Sequence, residues 1–235
     1  MKALIFAAGL GERMRPLTDH TPKPLIKAGG KPLIVWHLEK LAALGVRDVV
    51  VNTSWLADRF PAVLGDGGRW GLRIRYLHEG DTPLETGGGM LNALPLLGDA
   101  PFLLVNGDIW TDYDFARLPR EPRGLAHLVM IDPPGYATHG DFTLDPSGQV
   151  RRAGERRLTY AGIGVYRAAL LDDWPRHVDD QAGVAANGKP RFRLAPILRA
   201  HMDSGQIHGE HHAGRWTDVG TPQRLAELEA TLHTA

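Results

Sequence analysis

The stretch that decides the fold is LIFAAGLGERMRPLTDHTPKPL, residues 4–25. Its apolar opening ends in small residues, Ala7, Ala8 and Gly9, with a second glycine at Gly11. A buried parallel strand that stops in a Gly-rich turn is the usual edge of an open α/β sheet, where ligands bind. Arg13, Arg15 and Lys23 follow within the same stretch. A Gly-rich turn can present backbone N–H groups to phosphate, Arg13 can grip phosphate oxygens, and Lys23 adds a compact charge. Two familiar phosphate loops do not fit. Met14 stands where a dinucleotide fingerprint needs its third glycine, and no Gly-Lys-Ser/Thr follows as a Walker A loop requires.

Outward from this turn, strand and helix patterns alternate. PLIVWHLEKLAALG (32–45) has helical spacing with Gly45 as a C-cap, DVVVNT and LRIRYLH read as strands, and LADRFPAVLG as a short helix. GGGMLNALPLLG suggests a helix entered through glycines, and PFLLVNGD a strand that delivers Asp108. This alternation predicts right-handed βαβ units, hence one doubly wound, mostly parallel sheet. The later half is more mixed. LAHLVMID and LTYAGIGVYR read as strands, and GDFTLDPSGQVRRAG as a hairpin turning at residues 145–148. Residues 177–191 read as a mobile polar loop, LAPILRAHM as a helix, and PQRLAELEATL as a closing helix with Pro222 at its start.

Composition narrows the function. The chain has 235 residues, 27 basic against 27 acidic, and no cysteine. No polycationic face for nucleic acid is implied, and disulfides, thiolate zinc sites and cysteine nucleophiles are excluded. No segment has the length of a membrane span or of a signal peptide's apolar core, so a soluble cytoplasmic protein is expected. No repeat or linker stands out, and one domain over residues 1–235 is expected, with 1–115 and 116–235 as its two halves. The segment HGEHH (208–212) lacks the helical His-Glu-x-x-His spacing of a zinc site. Oligomeric state is not legible.

AAGLGERMRPLTDHTPKPL resembles the signature of the sugar-1-phosphate nucleotidyltransferases: Gly-x-Gly-[Thr/Glu]-Arg, then Pro-Leu-Thr, then Pro-Lys-Pro-Leu. LETGGG, LLVNGD and RWTDVGT are similar to that family's base loop and two metal motifs, in the same order. The resemblance implies a Rossmann-like, glycosyltransferase-A-type fold and transfer of a nucleotidyl group from a nucleoside triphosphate to a sugar 1-phosphate, with Mg²⁺ as cofactor. It implies that Ala8, Gly9, Leu10, Gly11, Glu12, Arg13 and Lys23 hold the triphosphate, with Arg13, Lys23 and Asp108 catalytic. Asp108 and Asp218 are the implied metal ligands. Glu79, Thr86, Gly87 and Asn106 are implied for base and ribose, and Gly140, Asp141, Glu155 and Gly162 for the sugar, with residues 1–115 as the nucleotide half and 116–235 as the sugar half. Glu85 departs from the family, where many members have glycine, and Ala161 stands where many have asparagine. Within the family, PLETGGG and the run from ALPLLGDAPFLLVNGD are most like members of cell-wall recycling that join UTP to N-acetylmuramic acid 1-phosphate. Mannose 1-phosphate with GTP, glucose 1-phosphate with dTTP, and a silent nucleotide-sugar sensor are the alternatives.

The lactyl ether of muramic acid adds a carboxylate, which calls for a cation near the sugar's 3-position. Lys189, Arg191, Arg193 and Arg199, or Arg151, Arg152, Arg156 and Arg157, could supply it.

Overall fold

The structure, a computed structural model, describes residues 1–137 and 139–233. Strand β1 (Lys2–Phe6) begins the sheet, and a small ribbon, β2 (Lys27–Ala28) with β3 (Lys31–Pro32), leads into helix α1 (Leu33–Ala43). Then come β4 (Asp48–Thr53), α2 (Arg59–Leu64), β5 (Arg73–His78), α3 (Glu85–Leu97), β6 (Phe102–Asn106) and β7 (Ile109–Thr111). Strands β1, β4, β5 and β6 form a parallel core in the order β6-β1-β4-β5. Chain order reverses between β1 and β6, and the crevice outside the carboxyl ends there is where such sheets bind ligands.

The continuous apolar run of β1 follows from burial on both faces. Ala3 and Ile5 pack with Ile34, Leu38 and Leu41 of α1, while Leu4 packs with Met90, Ala93 and Leu97 of α3. Helices on both faces leave no solvent side, so alternation disappears from the sequence.

The later half extends this core in antiparallel fashion. β8 (Ala126–Ile131), the hairpin β9 (Phe142–Leu144) and β10 (Val150–Arg151), and β11 (Arg157–Tyr166) follow in sequence. β11 runs antiparallel to β6, to β8 and to β9. The segment expected to be a free loop at 177–191 instead contains a ribbon, β12 (Gly183–Val184) with β13 (Pro190–Arg191). It is fixed by backbone bonds to the α3 entrance: Phe192 N–H donates to Leu84 O at 3.2 Å, and Gly87 N–H to Phe192 O at 2.9 Å. Composition alone does not reveal such partners. Helix α4 (Leu194–Asp203), β14 (Ile207–His212), β15 (Trp216–Asp218) and α5 (Pro222–His233) complete the chain. β14 is parallel to β8, and β15 pairs antiparallel with β7. No helix among the described residues is long and apolar enough to cross a membrane.

Helix α1 holds β7 from beneath. His37 Nε2 donates to Ile109 O at 2.9 Å, and Lys40 Nζ donates to Thr111 O at 2.7 Å and Tyr113 O at 2.8 Å. Burial drives the His37 pKa down to about 4, so the ring is neutral at pH 7. The unfolded chain binds this proton near 6.5, so stability is present above pH 6.5 and is lost as pH falls toward 4. The wild type is expected to lose about 2 kcal/mol between pH 7 and pH 5 that a His37→Leu variant does not lose. Urea denaturation of both proteins at the two pH values measures the difference.

Candidate active site

A cleft of about 630 Å³ opens at the carboxyl ends of β1, β4 and β6. Ala8, Gly9, Leu10, Gly11, Glu12, Arg13, Lys23, Glu79, Thr86, Asn106 and Asp108 all line it. The signature turn, the base loop and the end of β6 therefore converge on one space. Gly11 must be glycine. Its φ of +67° is left-handed, and a Cβ would stand 2.8 Å from Thr18 Cγ2. Thr18 Oγ1 donates to Gly11 O at 2.8 Å, and Trp55 Nε1 donates to Thr18 O at 2.8 Å, so the threonine of the Pro-Leu-Thr element and a tryptophan from outside the signature brace the turn.

The cations differ in their surroundings. Arg13 is exposed at the cleft and has no carboxylate partner among the described residues. Arg15 points elsewhere, 3.5 Å from Asp19, and covers the turn. Lys23 Nζ lies 2.6 Å from Asp108 Oδ2.

The pairing of β7 with β15 brings the backbones of Asp108 and Asp218 together. Asp218 stands opposite Ile109, and Val219 N–H donates to Asp108 O at 2.9 Å. Asp218 accepts from Tyr136 and from Arg224. Gly220, beyond Val219, lines the cleft, and Asp218 does not. Asp112 and Asp114 are taken up elsewhere: Asp112 accepts from His212 and from Arg215 N–H, and Asp114 caps Ala116. The carboxylates of Asp108 and Asp218 are the hard-oxygen type that magnesium accepts, since it takes one or two carboxylates and leaves its other positions to phosphate and water.

The base side is built around Glu79. This carboxylate is 1% exposed; its Oε1 accepts from Asn52 Nδ2 at 2.7 Å and its Oε2 from Leu84 N–H at 2.9 Å. Burial pushes its pKa up, against the pull of these two donors. Asn52 also accepts from Ala7 N–H at 2.7 Å, linking the base loop to the signature strand. The sequence did carry a signal for Asn52, a lone amide at the end of a buried valine run. Gly87 does not line the cleft; it is buried, and a Cβ there would lie 2.5 Å from the Phe192 ring. The three glycines are inside α3 because Phe192, the Pro190 carbonyl and Glu79 approach them closely, not because the helix needs a flexible entrance.

Glu85, the departure from the family pattern, has a φ of +62°. Glycine suits such a position, and a larger residue there is held at a cost of about 1 kcal/mol or more. Arg191 holds it: Arg191 Nη2 is 2.8 Å from Glu85 Oε1, and its Nε donates to Pro83 O at 3.2 Å. Asn187 Nδ2 adds a bond of 2.6 Å to Glu79 O. The ribbon thereby clamps the base loop. Arg191→Ala is expected to raise KM for the nucleotide about tenfold with kcat changed less than about threefold, because the loss falls on ground-state binding. Steady-state kinetics with varied nucleotide measure this split.

A second cavity, of about 190 Å³, adjoins the first and shares Phe6, Thr86 and Asn106 with it. Asp141 lines it, with Tyr160 and Arg199. Gly140 and Gly162 act from behind. Gly140 is buried against the backbone of Arg157 and Leu158, and Gly162, at φ +72°, makes room for the Asn106 side chain. Glu155 is exposed in the turn between β10 and β11 and lines neither cavity.

This geometry has relatives. The chain is 45% identical to the N-acetylmuramate alpha-1-phosphate uridylyltransferase of Neisseria meningitidis serogroup B, over 98% of this chain and 97% of that protein. It is 34% identical to the enzyme of that name from Caulobacter vibrioides, over 99% and 97%. Among solved structures, a putative glucose-1-phosphate thymidylyltransferase from Bacillus anthracis superposes with a TM-score of 0.83 at 19% identity, covering 100% of this chain and 96% of that one. That likeness speaks for the fold. With residues 2–235 matching the nucleotidyl transferase family and the signature turn set at the sheet's switch point, this chain belongs to that family.

Proposed function

We propose that the protein transfers the uridylyl group of UTP to N-acetylmuramic acid 1-phosphate, giving UDP-N-acetylmuramic acid and pyrophosphate, with Mg²⁺ as cofactor and in the cytoplasm. The observation that carries this reading is the full-length 45% identity to a uridylyltransferase with that acceptor, in a chain whose signature residues share one cleft.

A phosphate oxygen of the acceptor attacks the α-phosphorus in line. One P–O bond forms and the bond to the β-phosphate breaks, so pyrophosphate leaves with its electron pair and no protein nucleophile is needed. The site's work is to assemble polyanions and stabilise the added charge. The turn from Ala8 to Glu12 offers backbone donors, and Arg13 meets the leaving pyrophosphate. Lys23 reaches the reacting phosphates once it leaves Asp108. Asp108 and Asp218 would hold Mg²⁺, which supplies charge neutralisation at the phosphates when bound. Glu79, fixed by Asn52 and Leu84, holds the base loop, and its remaining lone pairs can accept the uracil N3–H.

Pyrophosphate release measured across four nucleoside triphosphates and a panel of sugar 1-phosphates tests the assignment. The highest kcat/KM is expected for UTP with N-acetylmuramic acid 1-phosphate. A preference for GTP with mannose 1-phosphate, or dTTP with glucose 1-phosphate, would overturn the substrate pair.

A further inference from the structure

We infer that Arg199 is the residue that selects an acceptor bearing a carboxylate on its sugar, by pairing with that carboxylate in the second cavity. The inference rests on the proposed acceptor and names the group that reads it.

An acceptor that differs from N-acetylglucosamine 1-phosphate by a lactyl ether presents one more anion, beyond its phosphate. Discrimination requires a cation that is left unpaired when the smaller sugar binds. Eight basic residues flank this half of the site in sequence, and the structure disposes of most of them. Arg151 pairs with Asp145, Arg152 with Asp203 and Arg156 with Asp132. Arg157 donates to the carbonyls of Gly140 and Asp141, and Arg191 clamps Glu85 on the nucleotide side. Lys189 and Arg193 line neither cavity.

Arg199 alone of the eight lines the second cavity. It projects from α4 with no carboxylate partner among the described residues, its guanidinium 5.9 Å from the Phe142 ring centroid. The ring restricts the side chain without neutralising it. The rest of the wall suits a sugar. Asp141 Oδ2 accepts from Tyr160 N–H at 2.9 Å, leaving its other oxygen for a sugar hydroxyl, and the Tyr160 hydroxyl is turned away to Tyr166 at 2.6 Å. Leu194, Ala195 and Leu198 supply an apolar surface for methyl groups. Thr86 and Asn106 connect this space to the nucleotide cleft, so a sugar phosphate can span both.

The test is a cycle of enzyme and acceptor. Wild type, Arg199→Met and Arg199→Lys are assayed with N-acetylmuramic acid 1-phosphate, the same acceptor with its lactyl carboxylate amidated, and N-acetylglucosamine 1-phosphate. In the wild type, amidation should lower kcat/KM about thirtyfold. In Arg199→Met, amidation should change kcat/KM less than about threefold, and the preference over N-acetylglucosamine 1-phosphate should collapse by a similar thirtyfold. Arg199→Lys should keep part of the preference, since it retains the charge and loses the fork. A wild type that prefers the muramic acceptor while Arg199→Met keeps that preference overturns the role of Arg199 and leaves the acceptor standing. A wild type indifferent to the lactyl group overturns both.

Discussion

Asp108→Asn and Asp218→Asn are each expected to lower turnover by about two to three orders of magnitude, with the fold intact by circular dichroism. The substitution keeps the shape of the side chain and removes its charge. At Asp108 it removes one of the two carboxylates proposed to hold Mg²⁺ and takes the charged partner from Lys23; at Asp218 it removes the other and takes the charged partner from Arg224. Arg224 is largely buried, so some loss of stability accompanies Asp218→Asn. A readout apart from turnover separates the two effects: Mn²⁺ binding followed by electron paramagnetic resonance should weaken in both variants. Unchanged rates at saturating Mg²⁺ in both would remove these aspartates from the site.

Lys23→Ala is expected to lower kcat by about two orders of magnitude or more, with a smaller effect on KM for the nucleotide. The lysine lies between Pro22 and Pro24, which restrict its backbone, and its side chain is 11% exposed. Its charge is thus delivered to one place at little entropic cost. Arginine at this position should not restore the rate, because a broad planar guanidinium does not replace the compact point charge of an ammonium at the reacting phosphates. Single-turnover measurements at saturating UTP test the assignment; normal turnover in Lys23→Ala would refute it.

Legibility along the chain followed how local the determining contacts are. Strands β1, β4 and β6 were readable because burial on both faces writes uninterrupted apolar runs, and Gly11 because a left-handed turn selects it. The base loop was readable only as a likeness. Its real supports, Asn52, Arg191 and Phe192, come from distant segments and announce themselves weakly. The ribbon at 183–191 was misread because its stability lies in bonds to Leu84 and Gly87, about a hundred residues earlier, and polar composition gave no trace of them. In the sugar half, β11 pairs with three strands at once, so its surroundings are tertiary products. Glu155 was carried over by resemblance and lies outside both cavities, whereas Arg199 was one of eight equivalent cations until the fold separated them.

The ion pair between Lys23 and Asp108 makes two binding events reciprocal. A phosphate and a cation arriving there each compete for charge with the pair: the ammonium yields part of its hold on the carboxylate to a phosphate, and the carboxylate part of its hold on the lysine to a cation. In the proposed reaction, free Mg²⁺ and free triphosphate therefore each meet a site already neutralised, and each must compete with the pair unaided. The preformed complex of the two would meet both partners in one event, Asp108 facing the metal and Lys23 a phosphate. Whatever affinity the cation lends the nucleotide, the nucleotide returns in equal measure. In the proposed reaction, a contact that looks like simple stabilisation of the empty cleft would thus act as a discriminator, favouring metal-loaded nucleotide over either component alone.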